Sequence, residues 1–86
     1  MSEDIKALRE RIDYIDEEIV KLLAKRVKVA KDIGRLKKEK GLPRVDAQRE
    51  NEVYSRAIRL ALENGLSPED CENIFKGIVQ MCRKVQ

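Results

Sequence analysis

Residues 5–36, IKALRERIDYIDEEIVKLLAKRVKVAKDIGRL, decide the fold. Their apolar side chains recur at alternating spacings of three and four: Ile5, Leu8, Ile12, Ile15, Ile19, Leu22, then Val29, Ile33 and Leu36. A helix turns once every 3.6 residues, so this spacing gathers the apolar groups into one stripe, the seam by which a helix packs on another helix. No Pro interrupts the stretch, and Gly34 is its only Gly. The pattern stops at Gly41-Leu42-Pro43, where Gly takes the left-handed position after a helix and Pro blocks further winding. One very long helix over about residues 4–40 is predicted.

Two shorter helices follow. Asp46 is placed to cap a helix over about 47–64 that turns Val53, Ala57, Ile58 and Ala61 inward and ends at Gly65. Ser67-Pro68-Glu69-Asp70 is a dense start signal, with a capping hydroxyl, Pro at the first helical position and acids in the first turn. The third helix, over about 68–86, carries Cys71, Ile74, Phe75, Ile78, Val79, Cys82 and Val85 on one face. No strand pattern or repeat is present, so the chain reads as one all-α domain over residues 1–86.

Size then bears on assembly. At 1.5 Å per residue the first helix is about 55 Å long, whereas a compact monomer of this length has a diameter of roughly 30 Å. A lone chain would leave half of the seam in water. The expectation is an intertwined helical-bundle homodimer, with the long helices antiparallel across a two-fold axis and the shorter ones wrapped around them. Cys71 and Cys82 lie about 16 Å apart along one helix, beyond disulfide reach, and should be reduced packing residues.

Composition narrows the chemistry. The 86 residues include no His and no Trp, two Cys, 41% charged residues and a net charge of +3. Without imidazole, Ser-His-Asp or Cys-His hydrolysis and His-ligated metals are excluded, and two thiols cannot build a four-thiolate zinc site. No apolar run is long enough to span a membrane, and the acidic start, Met1-Ser2-Glu3-Asp4, lacks signal-peptide order, so a cytoplasmic protein is expected. Interleaved charge suits solvated helices, and +3 is too little to imply nucleic-acid binding.

One charge breaks the seam. Counting sevens from Ile5 gives Ile12, Ile19, position 26 and Ile33, and position 26 is Arg. Among Leu22, Leu23, Val29, Ala30 and Ile33 it points inward, where an unpaired charge costs several kcal/mol. A single polar residue that fixes register, or a stem that snorkels outward, is the plain alternative to an anion. Lys37, eleven residues on and therefore on the same stripe, favours the anion. Arg9 on a flank pairs most simply with Asp13, but in an antiparallel dimer it comes level with the stretch between Arg26 and Lys37 of the other chain. Asp46, Arg49 and Glu50 add a cation with carboxylates one turn apart; Cys82 reads first as core and Gln86 as a frayed end.

Taken in order, Leu8-Arg9-x-x-Ile12-Asp13-x-x-Asp16, Ala24-Lys25-Arg26, Ile33-Gly34-x-x-Lys37, Pro43-x-x-Asp46-x-x-Arg49-Glu50 and Phe75…Cys82-x-x-x-Gln86 resemble the all-helical (AroQ) class of chorismate mutases. The resemblance covers nearly the whole chain and implies an intertwined homodimer with two active sites. It implies that Arg26 and Lys37 hold the carboxylates of chorismate from one chain while Arg9 reaches in from the other, and that Arg49 adds to the cationic wall. Glu50, with Asp46 close by, would meet the ring hydroxyl, and Lys37 and Gln86 would donate to the ether oxygen of the breaking bond. Cys82 stands where relatives often carry Ser or Asn, and a thiol is a weak donor.

The implied reaction, rearrangement of chorismate to prephenate on the route to phenylalanine and tyrosine, is pericyclic. It needs no nucleophile, metal, cofactor or net proton transfer, so a chain without His loses nothing by it. An isochorismate pyruvate lyase of the same architecture would need much the same cationic pocket. A non-catalytic helical dimer that binds RNA or protein would put its basic residues outside and leave Arg26 unexplained; only Tyr14, Tyr54 and Phe75 could stack on bases. No nucleic-acid or membrane partner is expected.

Overall fold

A computed structural model describes residues 2–86, with side chains from residue 4 onward. It contains three helices in chain order: α1 (Ser2–Lys40), α2 (Ala47–Glu63) and α3 (Pro68–Arg83). Among the described residues there is no strand.

The ends of the helices follow from local chemistry. Gly41 has φ of 67° and Gly65 has φ of 70°, the left-handed conformation that closes α1 and α2. Leu42 and Leu66 then return their backbone N–H groups to carbonyls five residues back, at 2.8 and 2.9 Å. Asp46 caps α2 by accepting from the Arg49 N–H at 3.0 Å, and Ser67 caps α3 by accepting from Asp70 at 3.2 Å. The third helix stops at Arg83 rather than running to 86. Val85 and Gln86 bond to the carbonyls of Cys82 and Arg83, three residues back, so the chain tightens out of the α-helical ladder.

Packing is uneven. The short helices α2 and α3 lie against each other and α1 meets α3, while among the described residues α1 does not pack on α2. Among the described residues only Ala30, Ala57, Ala61, Val79 and Cys82 form the buried apolar core, with Gly34 buried beside them. The molecule measures 59 × 24 × 16 Å with a radius of gyration of 16.6 Å, against about 12 Å for a compact chain of this length. The seam residues Ile5, Leu8, Ile12, Ile15, Ile19 and Leu22 are at least half exposed, as is Ile74 on α3, which the face pattern had turned inward. That elongated shape is consistent with one chain of an intertwined dimer. No helix is long and apolar enough to cross a membrane among the described residues. Both Cys71 and Cys82 are free thiols.

Candidate active site

A pocket of about 410 Å³ lies where the C-terminal half of α1, the start of α2 and the end of α3 converge. Each helix contributes one stripe. Arg26, Ala30, Ile33 and Lys37 come from α1, at steps of four, three and four, and therefore share a face. Asp46, Arg49, Glu50 and Val53 open α2 in the same manner, and Val79, Cys82, Arg83 and Gln86 close α3 and the turn after it. Buried Ala30, Val79 and Cys82 form an apolar floor beneath a charged rim.

The two cations predicted from the broken seam are held without carboxylate partners. Arg26 donates from Nη1 to the Cys82 sulfur at 2.9 Å. Lys37 donates from Nζ to the Arg44 carbonyl at 2.8 Å and to Gln86 Oε1 at 3.2 Å. Among the described residues neither cation has an ion pair, so their charge remains available to a ligand. The Lys37 bond also orients Gln86, because with Oε1 occupied by the ammonium the amide Nε2 remains as a donor. Gln86 is half-buried here rather than the frayed end that its position in the sequence implied.

The α2 wall behaves differently. Asp46 is engaged as the helix cap, and Arg49 makes a solvent-exposed ion pair with Glu52 at 3.5 Å. Glu50 is gripped by Arg83, which donates from Nε at 3.1 Å and from Nη2 at 2.5 Å. Hydrogen bonding to Glu50, reinforced by its charge, raises the Arg83 pKa above the ordinary arginine value. Sequence reasoning missed Arg83, although its spacing three before Gln86 and four after Val79 sets it on the pocket stripe of α3. The rim thus carries four cations, Arg26, Lys37, Arg49 and Arg83, against two carboxylates, Asp46 and Glu50. Arg49 is offset by Glu52 and Arg83 by Glu50, which leaves Arg26 and Lys37 as the two rim cations without a carboxylate partner among the described residues, a match for a dicarboxylate.

Arg9 alone of the anticipated residues lies elsewhere. It is exposed on α1, seventeen residues before Arg26, a separation of about 25 Å along the helix axis. Within one chain it cannot reach the pocket.

The family model described as "Chorismate mutase type II" matches residues 8–86. A protein of Methanocaldococcus jannaschii named chorismate mutase is 33% identical over 86 residues, spanning all of this chain and 87% of that protein. A protein of Pyrobaculum aerophilum named 3-dehydroquinate dehydratase is 43% identical over 82 residues, which make up 95% of this chain; the match spans only 24% of that longer relative. Among solved structures, a conserved hypothetical protein from Pyrococcus furiosus superposes with a TM-score of 0.75 at 37% identity, covering 94% of this chain and 92% of that one.

Proposed function

The chain belongs to the chorismate mutase type II family, and from that premise we propose that its pocket binds chorismate and rearranges it to prephenate, a step of aromatic amino acid biosynthesis. The observation that carries the proposal is the pair formed by Lys37 and Gln86, an ammonium and an amide joined at 3.2 Å on the wall of a cationic pocket.

In the rearrangement an ether C–O bond breaks as a C–C bond forms, and no proton is exchanged. The substrate is a flexible dianion whose reactive form is compact. Its two carboxylates bind to Arg26, Lys37 and Arg49, with the planar guanidinium of Arg26 suited to a bidentate grip. Fixing that conformer removes a large entropic part of the barrier. As the C–O bond stretches, the ether oxygen gains negative charge, and the Lys37 ammonium and the Gln86 Nε2 amide donate to it; donors fixed in advance stabilise the transition state more than the ground state. Glu50, flanked by Asp46, accepts from the ring hydroxyl. Cys82 anchors the Arg26 guanidinium from below rather than touching the reacting atoms.

The pocket is completed by a second copy of the chain. The half-exposed seam of α1 supplies the surface for it, and an antiparallel pairing of the long helices brings Arg9 of one chain to the pocket of the other. Arg9 then closes the open side and completes the cationic enclosure.

The deciding experiment is to add purified protein to chorismate and follow the loss of its ultraviolet absorbance, with isochorismate assayed in parallel. Prephenate from chorismate is the expected product. Salicylate and pyruvate from isochorismate, with chorismate left intact, would assign the pocket to elimination instead.

A further inference from the structure

Gly34 is an expensive residue for its position. It lies inside α1, away from any turn, where Gly weakens a helix relative to Ala. It is also buried, in a helix with few buried residues. What lies against it is the backbone of the last two residues. A Cβ added at Gly34 would stand 2.9 Å from the Gln86 Cα and 3.2 Å from the carbonyl oxygens of both Val85 and Gln86. Carbon atoms in contact prefer about 3.5–4.0 Å, so the tail would have to withdraw by roughly 1 Å. Backbone atoms cannot swing aside as the tip of a long side chain can.

We propose that Gly34 is a positioning residue for the reaction: its missing side chain is the notch in which residues 85–86 seat, and that seat holds the Gln86 amide beside Lys37. Lys37 is three residues after Gly34 on the same helix face, so the notch and the ammonium form one docking surface for the tail. The segment they receive has already left the α-helical ladder at Arg83 and has only the Val85 and Gln86 turn bonds of its own. Its placement therefore depends on what α1 offers it. A displacement of about 1 Å in a donor aimed at a reacting oxygen is enough to cost about 10² in rate. The catalytic consequence rests on the proposed role of Gln86; the docking does not.

Gly34→Ala tests both. Ala is the better helix former, so the variant should melt at the same temperature as the parent or higher, while kcat falls about 10²-fold and KM changes by less than threefold, the pattern expected for losing a transition-state donor. Gln86→Ala should fall equally, and the double variant no further, because both substitutions remove the same interaction. Amide hydrogen exchange at Val85 and Gln86 should accelerate in Gly34→Ala, whether or not chorismate is the substrate. Parental exchange in the tail, an unfolded variant, or additive losses of activity in the double variant would overturn the proposal. If the parent protein itself leaves chorismate unchanged while exchange responds as stated, the fault lies in the assignment of the reaction and the docking stands.

Discussion

Arg83 on α3 holds the carboxylate of Glu50 on α2 by both oxygens, across 33 positions of sequence. The pair staples the two short helices together at the pocket rim and fixes the direction in which Glu50 presents its remaining lone pairs. Arg83→Ala should lower kcat/KM about tenfold, the scale of one charge-assisted hydrogen bond, chiefly through KM, and R83K should not restore it because an ammonium cannot reproduce the two-pronged grip.

The pH behaviour of this pair has a definite sign. The guanidinium pKa is raised by Glu50, so its contribution is complete below the ordinary arginine value and disappears only as pH climbs through the raised one. Between about pH 6 and pH 10 the ratio of parental to Arg83→Ala kcat/KM should therefore stay flat, well below the arginine range. A ratio that fell steadily across that interval would show that Arg83 is not the group at work.

Lys37→Ala and Gln86→Ala should each reduce turnover by about 10²–10³, the usual loss for removing a transition-state donor, with little change in helical circular dichroism. Gln86→Glu should be active only toward acid pH, since only the protonated acid donates, and the adjacent Lys37 ammonium would push that protonation further down. An unchanged pH profile in Gln86→Glu would separate Gln86 from the ether oxygen.

Cys82 accepts from Arg26 at 2.9 Å on the floor of the pocket. Cys82→Ser keeps an acceptor at that point and should retain activity within about threefold, whereas Cys82→Val leaves the guanidinium without its anchor and should raise KM about tenfold. Equal kinetics in the two variants would show that the sulfur serves only as packing.

Site sharing can be read from mixed subunits. Arg9→Ala and Arg26→Ala should each be nearly inactive alone. Unfolded together and refolded as an equal mixture, they should recover about a quarter of parental activity, because half of the dimers are mixed and one of the two sites in each carries both arginines. No recovery would mean that Arg9 is not supplied from the partner chain or that the chains do not pair.

The long helix was legible in the sequence because its apolar spacing, its glycine stop and the proline beyond it all point the same way, and Arg26 stood out because a guanidinium interrupts a series of isoleucines. The caps at Asp46 and Ser67 were equally plain, being local chemistry. Arg83 was not legible: a charged residue near the end of an exposed helix reads as solvated surface until Glu50, distant in sequence, is brought opposite it. Ile74 has the periodicity of a core residue, yet it is largely exposed. Gly34 read as a mere interruption of the seam, since the segment it accommodates lies at the other end of the chain. Arg83 and Gly34 escaped because each meets a segment far away in the chain, whereas the helix stops, the caps and the stripe shared by Arg26 and Lys37 are each set within one helix or turn.

The lack of packing between α1 and α2 has a mechanical consequence. The pocket opens between these two helices, which are joined through α3 on one side and through the connecting segment, tied down where Lys37 reaches the Arg44 carbonyl, on another. A dianion gripped by Arg26 and Lys37 on one side and by Arg49 on the other acts as a strut across it. Ligand at a hundred times its dissociation constant should add about 2.7 kcal/mol to the stability of the fold, and the gain should appear as slower exchange at the start of α2. Under the proposed function the substrate thus doubles, while it is bound, as a structural member of the protein.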